Sequence, residues 1–381
     1  MPKYTFKINF NSSLFIVILG LLAFGGAIGR LSFGFSLFDI ILVTFFLISL
    51  KKGEIQDTSL FFFGFIIYGI LIAVINMLVI DKSYEYFILE LRFYLYIPLY
   101  YQVIRTFNFN FKVLNKYLTF ILISYLLIFA FALDYGSFLF QIFNSDRSET
   151  AFDFVGRISG PPTIFISMLF FITINYKPKL INNILYIVLI AFVYIKTGER
   201  TVLLTNIMPV VWLIYKKRSI WMLSAVPIFI SILPLYINKT QIKRFQAILS
   251  PFDDPAFRYR IENFRIMLFE KMPEYIHSFF TGFGIGSVYD APVFHFRVHS
   301  YFLDNTFLML LYKYGFFFAT LFFIVIYSKS IHLSNFKRFF LIIFITIPAL
   351  TSYHLILQPA YLISYFFAIK IFNNDNSTFL S

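Results

Sequence analysis

Long apolar stretches follow one another along most of this chain, and they constrain its fold more than any other feature. Within each stretch the apolar residues are continuous and do not alternate with polar ones, which excludes a transmembrane β-barrel. Hydrophobic residues make up 59% of the sequence and charged residues only 13%, whereas soluble domains have about half and about a quarter. The sequence therefore predicts an all-α polytopic integral membrane protein with about 12 transmembrane helices (range roughly 10–12) and one large outer loop.

The alternation of apolar and polar segments also predicts how the chain is organised. The predicted regions are an N-terminal transmembrane bundle (1–133), an outer loop (134–160), further transmembrane spans (161–237), a large outer loop (238–304), C-terminal spans (305–371) and a polar tail (372–381). The large loop is the most polar part of the chain. Chemistry is expected there, because polar side chains are costly within the bilayer.

Basic residues are distributed unevenly among the segments that separate the predicted spans. The short turns on one side hold only Arg30, Lys82, Lys196 and Arg200, and most other basic residues near span ends lie on the opposite side. Because cytoplasmic loops are enriched in Lys and Arg, both termini are expected in the cytoplasm and both large loops outside. The same bias explains the net charge of +13, so no nucleic-acid partner is expected.

Arginine occurs in three separate segments on the predicted outer side. These arginines are Arg157, Arg200 and, at helical spacing in the large loop, Arg258, Arg260 and Arg265. The planar guanidinium binds phosphate or diphosphate with two parallel hydrogen bonds, and a lipid-linked diphosphate would lie at this depth. Contacts with lipid headgroups or with neighbouring carboxylates such as Glu262 are the alternative, but they do not explain arginine in three places.

Histidine and aspartate in the large loop are candidates for acid–base chemistry. His299 and Asp304 can each take a proton from a sugar hydroxyl, although an interfacial polar cap is an alternative for His299. His295 lies four residues before His299, so a helix would place both on one face, where they could serve as metal ligands. No third ligand has useful spacing, and the chain has no cysteine; we expect neither a metal ion nor another cofactor.

Charged residues also occur inside predicted spans. Glu90 and Arg92 lie two residues apart in one span and therefore do not share a helix face. Because a charge within the bilayer is costly, each is expected to have a partner on another span. Lys313, within a later span, is expected either to find such a partner or to extend its amine to the interface.

Glycine recurs at every second position in the sequence TGFGIGS, as Gly282, Gly284 and Gly286. This spacing suggests a nucleotide-binding loop, but no strand precedes it and no acidic residue follows at the required distance. A tight turn that lets the loop fold onto the membrane is the better interpretation.

Four short patterns, in order between about residues 155 and 327, resemble the domain shared by O-antigen polymerases and O-antigen ligases. At the start of a span, the family pattern H-N-x-x-L-x-x-L-x-x-x-G is matched by Asn305, Leu308, Leu311 and Gly315. The others are Arg260 before the glycine turn, Arg157 in RISGPP and Arg200 in ERTVLL. Where the family has histidine this chain has Asp304, which looks more like the polymerases.

The resemblance implies a metal-independent glycosyltransferase of the bacterial cytoplasmic membrane. Its substrate would be an undecaprenyl-diphosphate-linked oligosaccharide, and a flippase and a chain-length regulator would be its protein partners. Catalytic roles would fall to His299, Asp304 and Arg260, diphosphate binding to Arg157, Arg200, Arg258 and Arg265, and structural roles to the three turn glycines, Asn305 and Gly315. An O-antigen ligase, a polysaccharide transporter or flippase, and a structural or assembly protein of the membrane are the alternatives.

Overall fold

The computed structural model describes only part of the chain. The described residues are 37–53, 55–80, 84, 86–106, 118–120, 122–124, 126–127, 166–175, 180–197, 200–217, 255–271, 276–293, 296–300, 305–351 and 360–378. The predicted outer loop at 134–160, with Arg157, lies outside these residues, as do His295 and Asp304. For Arg200, Arg260 and His299, the structure describes the backbone alone.

The described chain is mainly helical. Its helices are α1 (Leu37–Lys52), α2 (Asp57–Ile80), α3 (Phe87–Thr106), α4 (Ile166–Asn175), α5 (Leu180–Thr197), α6 (Arg200–Lys217), α7 (Pro255–Ile266), α8 (Ile276–Thr281), α9 (Thr306–Ser328), α10 (Asn335–Thr351) and α11 (Ala360–Thr378). A π-helical turn, Met267–Lys271, continues α7. Strands β1 (Tyr289–Val293) and β2 (Phe296–Ser300) form an antiparallel hairpin.

The mainly helical prediction is confirmed for the apolar segments. The predicted spans at 59–80, 85–104 and 305–327 correspond to α2, α3 and α9. Two described helices, at 57–79 and 306–328, are long and apolar enough to cross a membrane. The structure differs from the prediction in the hairpin, and in α11, which continues to Thr378 where a polar tail was expected after residue 371.

The helices bury polar groups and expose apolar ones. On the inner face of α2, the Ser59 hydroxyl donates to the Gln102 side-chain oxygen on α3 (3.3 Å). On its outer face, Leu71 and Leu78 are 55% and 80% exposed. An exposed apolar surface of this kind is typical of contact with lipid or with another protein.

Aromatic stacking holds α2 against the first half of α9. The Phe65 and Tyr314 rings stack at 3.8 Å between centroids, and the Tyr68 and Phe318 rings at 3.7 Å. Gly69 leaves room for this approach, because an added Cβ would lie 2.7 Å from the Tyr314 ring. α3 packs on both helices, since its Tyr94 ring lies 6.4 Å from that of Phe65 and 5.4 Å from that of Tyr314. The loop residues after α8 fold against these three helices.

Candidate functional site

The glycine turn, residues 282–288, lies inside the bundle between α2, α3 and α9. All of its residues are buried. Its backbone donates hydrogen bonds from Phe283 to the Tyr312 carbonyl (2.8 Å), from Gly284 to the Lys313 carbonyl (2.8 Å) and from Ile285 to the Gly69 carbonyl (3.1 Å). The predicted tight turn is confirmed. It is inserted among the helices and contacts three of them.

The three glycines of the turn are required by both conformation and space. Gly282, Gly284 and Gly286 have φ of +78°, +88° and +81°, a region that other residues rarely adopt. A Cβ added at Gly282 would collide with the main chain of Lys313, and one at Gly284 with the main chain of Ala73. The turn can therefore approach two helix backbones only because it has no side chains at these positions.

Helix α9 is interrupted where the turn contacts it. Gly315 has φ +72° and ψ 175°, which are not helical. The interruption frees main-chain carbonyls that would otherwise accept hydrogen bonds along the helix. The turn satisfies those of Tyr312 and Lys313. A Cβ at Gly315 would collide with the Phe280 carbonyl, so α8 also approaches the helix backbone at this point.

A buried ion pair joins α3, α9 and the turn. The Lys313 Nζ lies 2.7 Å from the Glu90 Oε2, and the two side chains are 1% and 0% exposed. The same carboxylate oxygen accepts a hydrogen bond from the Gly286 N–H, while Lys313 donates to the Ser287 carbonyl (2.7 Å). The predicted partner of Glu90 on another helix is thus confirmed. Lys313 is buried rather than extended to the interface.

Arg92 behaves differently from Glu90, two residues before it. Its Nε donates to the Tyr96 hydroxyl on the same helix (2.7 Å). Its guanidinium also lies 5.7 Å from the centre of the Tyr96 ring. The two charged residues of α3 therefore have different environments, as their separation by two positions predicts.

Side chains from α2 and from the residues before α3 donate hydrogen bonds to carbonyls of the turn and of Thr281, the residue before it. Tyr68 donates to the Thr281 carbonyl (3.0 Å), Asn76 to that of Gly282 (3.2 Å) and Tyr84 to that of Phe283 (2.8 Å). None of these three residues was predicted from the sequence as a partner of the turn. The spacing of Gly69 and Ala73 on α2 was the available signal, because small residues four apart permit close backbone approach between membrane helices.

Asn305 begins α9. Its side-chain oxygen accepts from the Leu308 N–H (3.1 Å), which is an N-cap, and its amide donates to the Leu350 carbonyl on α10 (2.9 Å). Leu308 and Leu311 are buried in the core. Of the four residues that match the family pattern at this span, Asn305 caps the helix, Leu308 and Leu311 fill its packed face, and Gly315 interrupts it. Each of the four therefore has a structural explanation.

The arginine helix, α7, lies in the large loop. Its helical conformation confirms the spacing argument for Arg258, Arg260 and Arg265. Arg258 and Arg265 are exposed. Arg265 donates hydrogen bonds to Glu262 from its Nε (3.1 Å) and from a terminal guanidinium nitrogen (2.7 Å), and this interaction holds the pKa of Glu262 below its ordinary value. For Arg265, the alternative to phosphate binding, pairing with a neighbouring carboxylate, is therefore present.

The hairpin carries His299. The register places His299 opposite Asp290, and α7 packs against β1. The structure thus brings the arginine helix and the histidine strand into one part of the molecule. The expectation that a helix places His295 and His299 on one face is wrong for His299, because residues 296–300 form a strand. Pro292, opposite Arg297 in the hairpin, has no N–H to donate and restricts the residue before it to extended backbone, which disfavours a helix here.

Arg200 is the first residue of α6. The described residues do not connect it with α7 or the hairpin, and Arg157 and Asp304 lie outside them. Convergence of the arginines on one diphosphate therefore stays a prediction. Within the described part of the chain, no group of three or more His, Asp or Glu residues could hold a metal ion.

Comparisons of the chain with protein-family models, with curated proteins and with solved structures gave no match. The resemblance to O-antigen polymerases and ligases accordingly stays a prediction based on the residues that carry it.

Proposed function

We propose that the chain is a polysaccharide polymerase of the bacterial cytoplasmic membrane, acting on undecaprenyl-diphosphate-linked repeat units at the outer face. The observation that carries the proposal is the packing of the arginine helix against β1, whose partner strand holds His299. Guanidinium groups and a histidine are the side chains that diphosphate binding and proton transfer from a sugar hydroxyl require. Both lie in the loop that leads directly to α9.

The proposed reaction needs no covalent enzyme intermediate. The bond between the sugar anomeric carbon and the diphosphate oxygen breaks, and a bond from that carbon to an acceptor hydroxyl oxygen forms. Arg157, Arg200 and Arg260, assisted by Arg258 and Arg265, bind the diphosphate and stabilise the charge of the leaving undecaprenyl diphosphate. His299 or Asp304 takes the hydroxyl proton. The acceptor is the non-reducing end of another lipid-linked unit.

A multi-pass membrane location belongs to the same proposal. Two helices long enough to span, several shorter apolar helices and an exposed apolar face on α2 support it. The glycine turn lies against the C-terminal half of α2, the start of α3 and the first half of α9. These helix ends are on one side of the bundle, as expected if α2 leads outward and α3 and α9 lead inward. About 12 spans with cytoplasmic termini complete this arrangement.

A transporter or flippase is the second candidate, and one observation favours it. Transporters often bind substrate at interrupted helices beside buried charges, and α9 is interrupted at Gly315 beside Lys313. Here, however, the turn occupies the carbonyls of Tyr312 and Lys313, and the Lys313 amine is held by Glu90 and the Ser287 carbonyl. These groups are engaged in holding the chain together, which favours a structural role for the interruption.

The test is the surface glycan of a deletion strain complemented with wild type or with Arg260 variants. We expect the deletion to collapse a ladder of chain lengths to one repeat unit, and wild type to restore it. Arg260→Ala should fail to restore it, and Arg260→Lys, which keeps the charge without the planar fork, should restore it partly. Arg338→Ala is the matched control, because Arg338 lies on α10 and bonds to Asn335 (3.0 Å).

Each other outcome has a distinct meaning. Long chains that accumulate without their anchor would identify a ligase. Loss of all surface glycan, with single units retained inside, would identify a flippase. An unchanged ladder in the deletion strain, or full restoration by Arg260→Ala, would contradict the polymerase proposal.

A further inference from the structure

The Glu90–Lys313 pair holds two consecutive residues of the glycine turn from opposite sides. Glu90, on α3, accepts from the Gly286 N–H. Lys313, on α9, donates to the Ser287 carbonyl. Because the two side chains also bind each other, they connect two helices and a turn that are far apart in sequence. Any shift of the turn along the helices would break both contacts.

The turn is also the base of the hairpin. The Tyr312 hydroxyl donates to the Val288 carbonyl (2.9 Å), and β1 begins at the next residue. At the other end, β2 stops at Ser300 and Asn305 caps α9. The hairpin is therefore attached to α9 at both ends, and the arginine helix packs on its first strand. The position of the turn therefore sets the position of the hairpin and of the arginine helix.

Stability alone does not explain a charged pair at this location. Replacing a buried ion pair with apolar residues is often neutral or stabilising, because both charges must be removed from water. A hydrogen-bonded pair differs from apolar packing in that it specifies one arrangement. Apolar residues would leave the Gly286 N–H and the Ser287 carbonyl without these partners, whereas the pair satisfies both and adds two contacts to the register that the main-chain hydrogen bonds of the turn define.

We infer that Glu90 and Lys313 are positioning residues: their buried pair fixes the glycine turn between α3 and α9 and thereby holds the hairpin and the arginine helix in working position. The anchoring of the turn follows from the contacts alone. Its effect on catalysis rests on the proposed function.

The absence of cysteine from the sequence makes accessibility of the turn directly measurable. Ser287→Cys places one thiol at a fully buried position of the turn, and a membrane-impermeant maleimide reports its exposure in the full-length protein. Ser167→Cys, buried on α4 and bonded in wild type to the Thr205 carbonyl, reports whether the bundle as a whole opens. Both reporters are measured with Glu90→Gln, Lys313→Met, the two combined, and Lys370→Met.

We expect Lys313→Met, which removes the donor to the Ser287 carbonyl, and Glu90→Gln, which removes the charge that holds Lys313 at the turn, each to raise the labelling rate at residue 287 by roughly tenfold or more, since the turn can then open locally. Labelling at residue 167 should not change. Lys370→Met removes a lysine that bonds to the Arg105 carbonyl away from the turn, and should leave both rates unchanged. If Lys313→Met does not accumulate in the membrane, Glu90→Gln decides the result, because glutamine keeps the size and an acceptor for Gly286.

The combined variant separates positioning from packing. It contains no buried unpaired charge, so it should melt near the wild-type temperature, yet label quickly at residue 287 and restore only short glycan chains. Wild-type labelling in the single or combined variants would overturn the anchoring. Fast labelling with a full ladder would overturn the positioning role. If deletion itself leaves the ladder unchanged, the proposed function fails, and the labelling rates still decide the anchoring.

Discussion

Two ion pairs of the same length occupy opposite environments in this molecule. In each, nitrogen and oxygen are 2.7 Å apart. Lys313 and Glu90 are 1% and 0% exposed and bind backbone groups of the glycine turn. Arg265 and Glu262 are 53% and 49% exposed, three residues apart on the arginine helix. The distance between the charged atoms alone therefore says little about how much an ion pair contributes to stability.

The difference lies in what surrounds the charges. Glu90 is fully buried, so solvent cannot reach its carboxylate to replace Lys313, and loss of either partner leaves a charge that the bundle cannot solvate. Around Glu262, water and ions can replace Arg265 at little cost. The exposed arginines can consequently exchange a carboxylate for a ligand phosphate, while the buried pair is committed to the fold. The buried pair on α3 and α9 thus serves the fold, whereas ligand binding is proposed only for the exposed arginines of the loop.

The largest effect is expected where the turn meets the helix backbones. Gly284→Ala forces a side chain into a left-handed conformation and against Ala73. We expect it to cost on the order of 5 kcal/mol or more, from backbone strain and severe overpacking together. Thermal denaturation of the detergent-solubilised protein measures this. Gly64→Ala on α2, where an added Cβ meets nothing within 4 Å, should be neutral or slightly stabilising. Equal behaviour of the two variants would contradict the buried position of the turn.

A double-mutant cycle on each ion pair tests the contrast between them. Glu90→Gln or Lys313→Met alone should destabilise by about 3–5 kcal/mol, and the combined variant by much less, which gives a large coupling energy. The cycle Glu262→Gln with Arg265→Met should show no resolvable coupling. Both cycles are read from thermal unfolding at low and high salt. A buried-pair coupling as small as that of the exposed pair would break the distinction.

A smaller effect is expected at the start of α9. Asn305→Ala removes the N-cap and should cost about 1 kcal/mol, again measured by thermal denaturation. Asn305→Asp keeps the capping oxygen and should recover most of the loss, although it cannot donate to the Leu350 carbonyl. If aspartate is no better than alanine, the contact with α10 matters more than the cap.

The smallest effects are expected from the two tyrosines on either side of Lys313. The Tyr312 hydroxyl donates to the Val288 carbonyl at the base of the hairpin, so Tyr312→Phe should cost about 1 kcal/mol. The buried Tyr314 hydroxyl lies near the Tyr94 hydroxyl and Glu90 but makes no hydrogen bond of regular geometry within the described residues, so Tyr314→Phe should be neutral or slightly stabilising. Thermal denaturation of the two variants shows which substitution costs more stability. A strong loss of glycan polymer in Tyr314→Phe with unchanged stability would instead indicate a functional hydroxyl beside Glu90.

Much of the fold could be predicted from local sequence. The helix boundaries of α2, α3 and α9 follow from the lengths of their apolar runs, because a helix satisfies its backbone hydrogen bonds within the segment. The turn at Gly282, Gly284 and Gly286 follows from residues that alone tolerate positive φ. The hairpin was not predicted. Its strands are five residues each, too short for alternation to be distinguished from irregular loop.

The candidate site could be predicted in its residue types but only partly in its arrangement. Arginines at helical spacing predicted α7, and a buried carboxylate predicted a partner for Glu90. Neither local pattern indicated that α7 would pack on β1 or that the turn would be inserted into an interrupted helix. Gly315 belonged to a recognised pattern, yet its φ becomes meaningful only where Phe280 and the turn approach it.

The sequence by itself determined that the chain forms apolar helices, that Glu90 and Lys313 could not remain alone within them, and that the turn would contain glycine. Only the tertiary structure decided that these two residues, 223 positions apart, would bind each other and the same turn. The physical reason is the separation along the chain over which each kind of interaction acts. Helix formation and backbone conformation depend on neighbouring residues, whereas the partner of a buried charge is whatever group the packed chain brings within hydrogen-bonding distance.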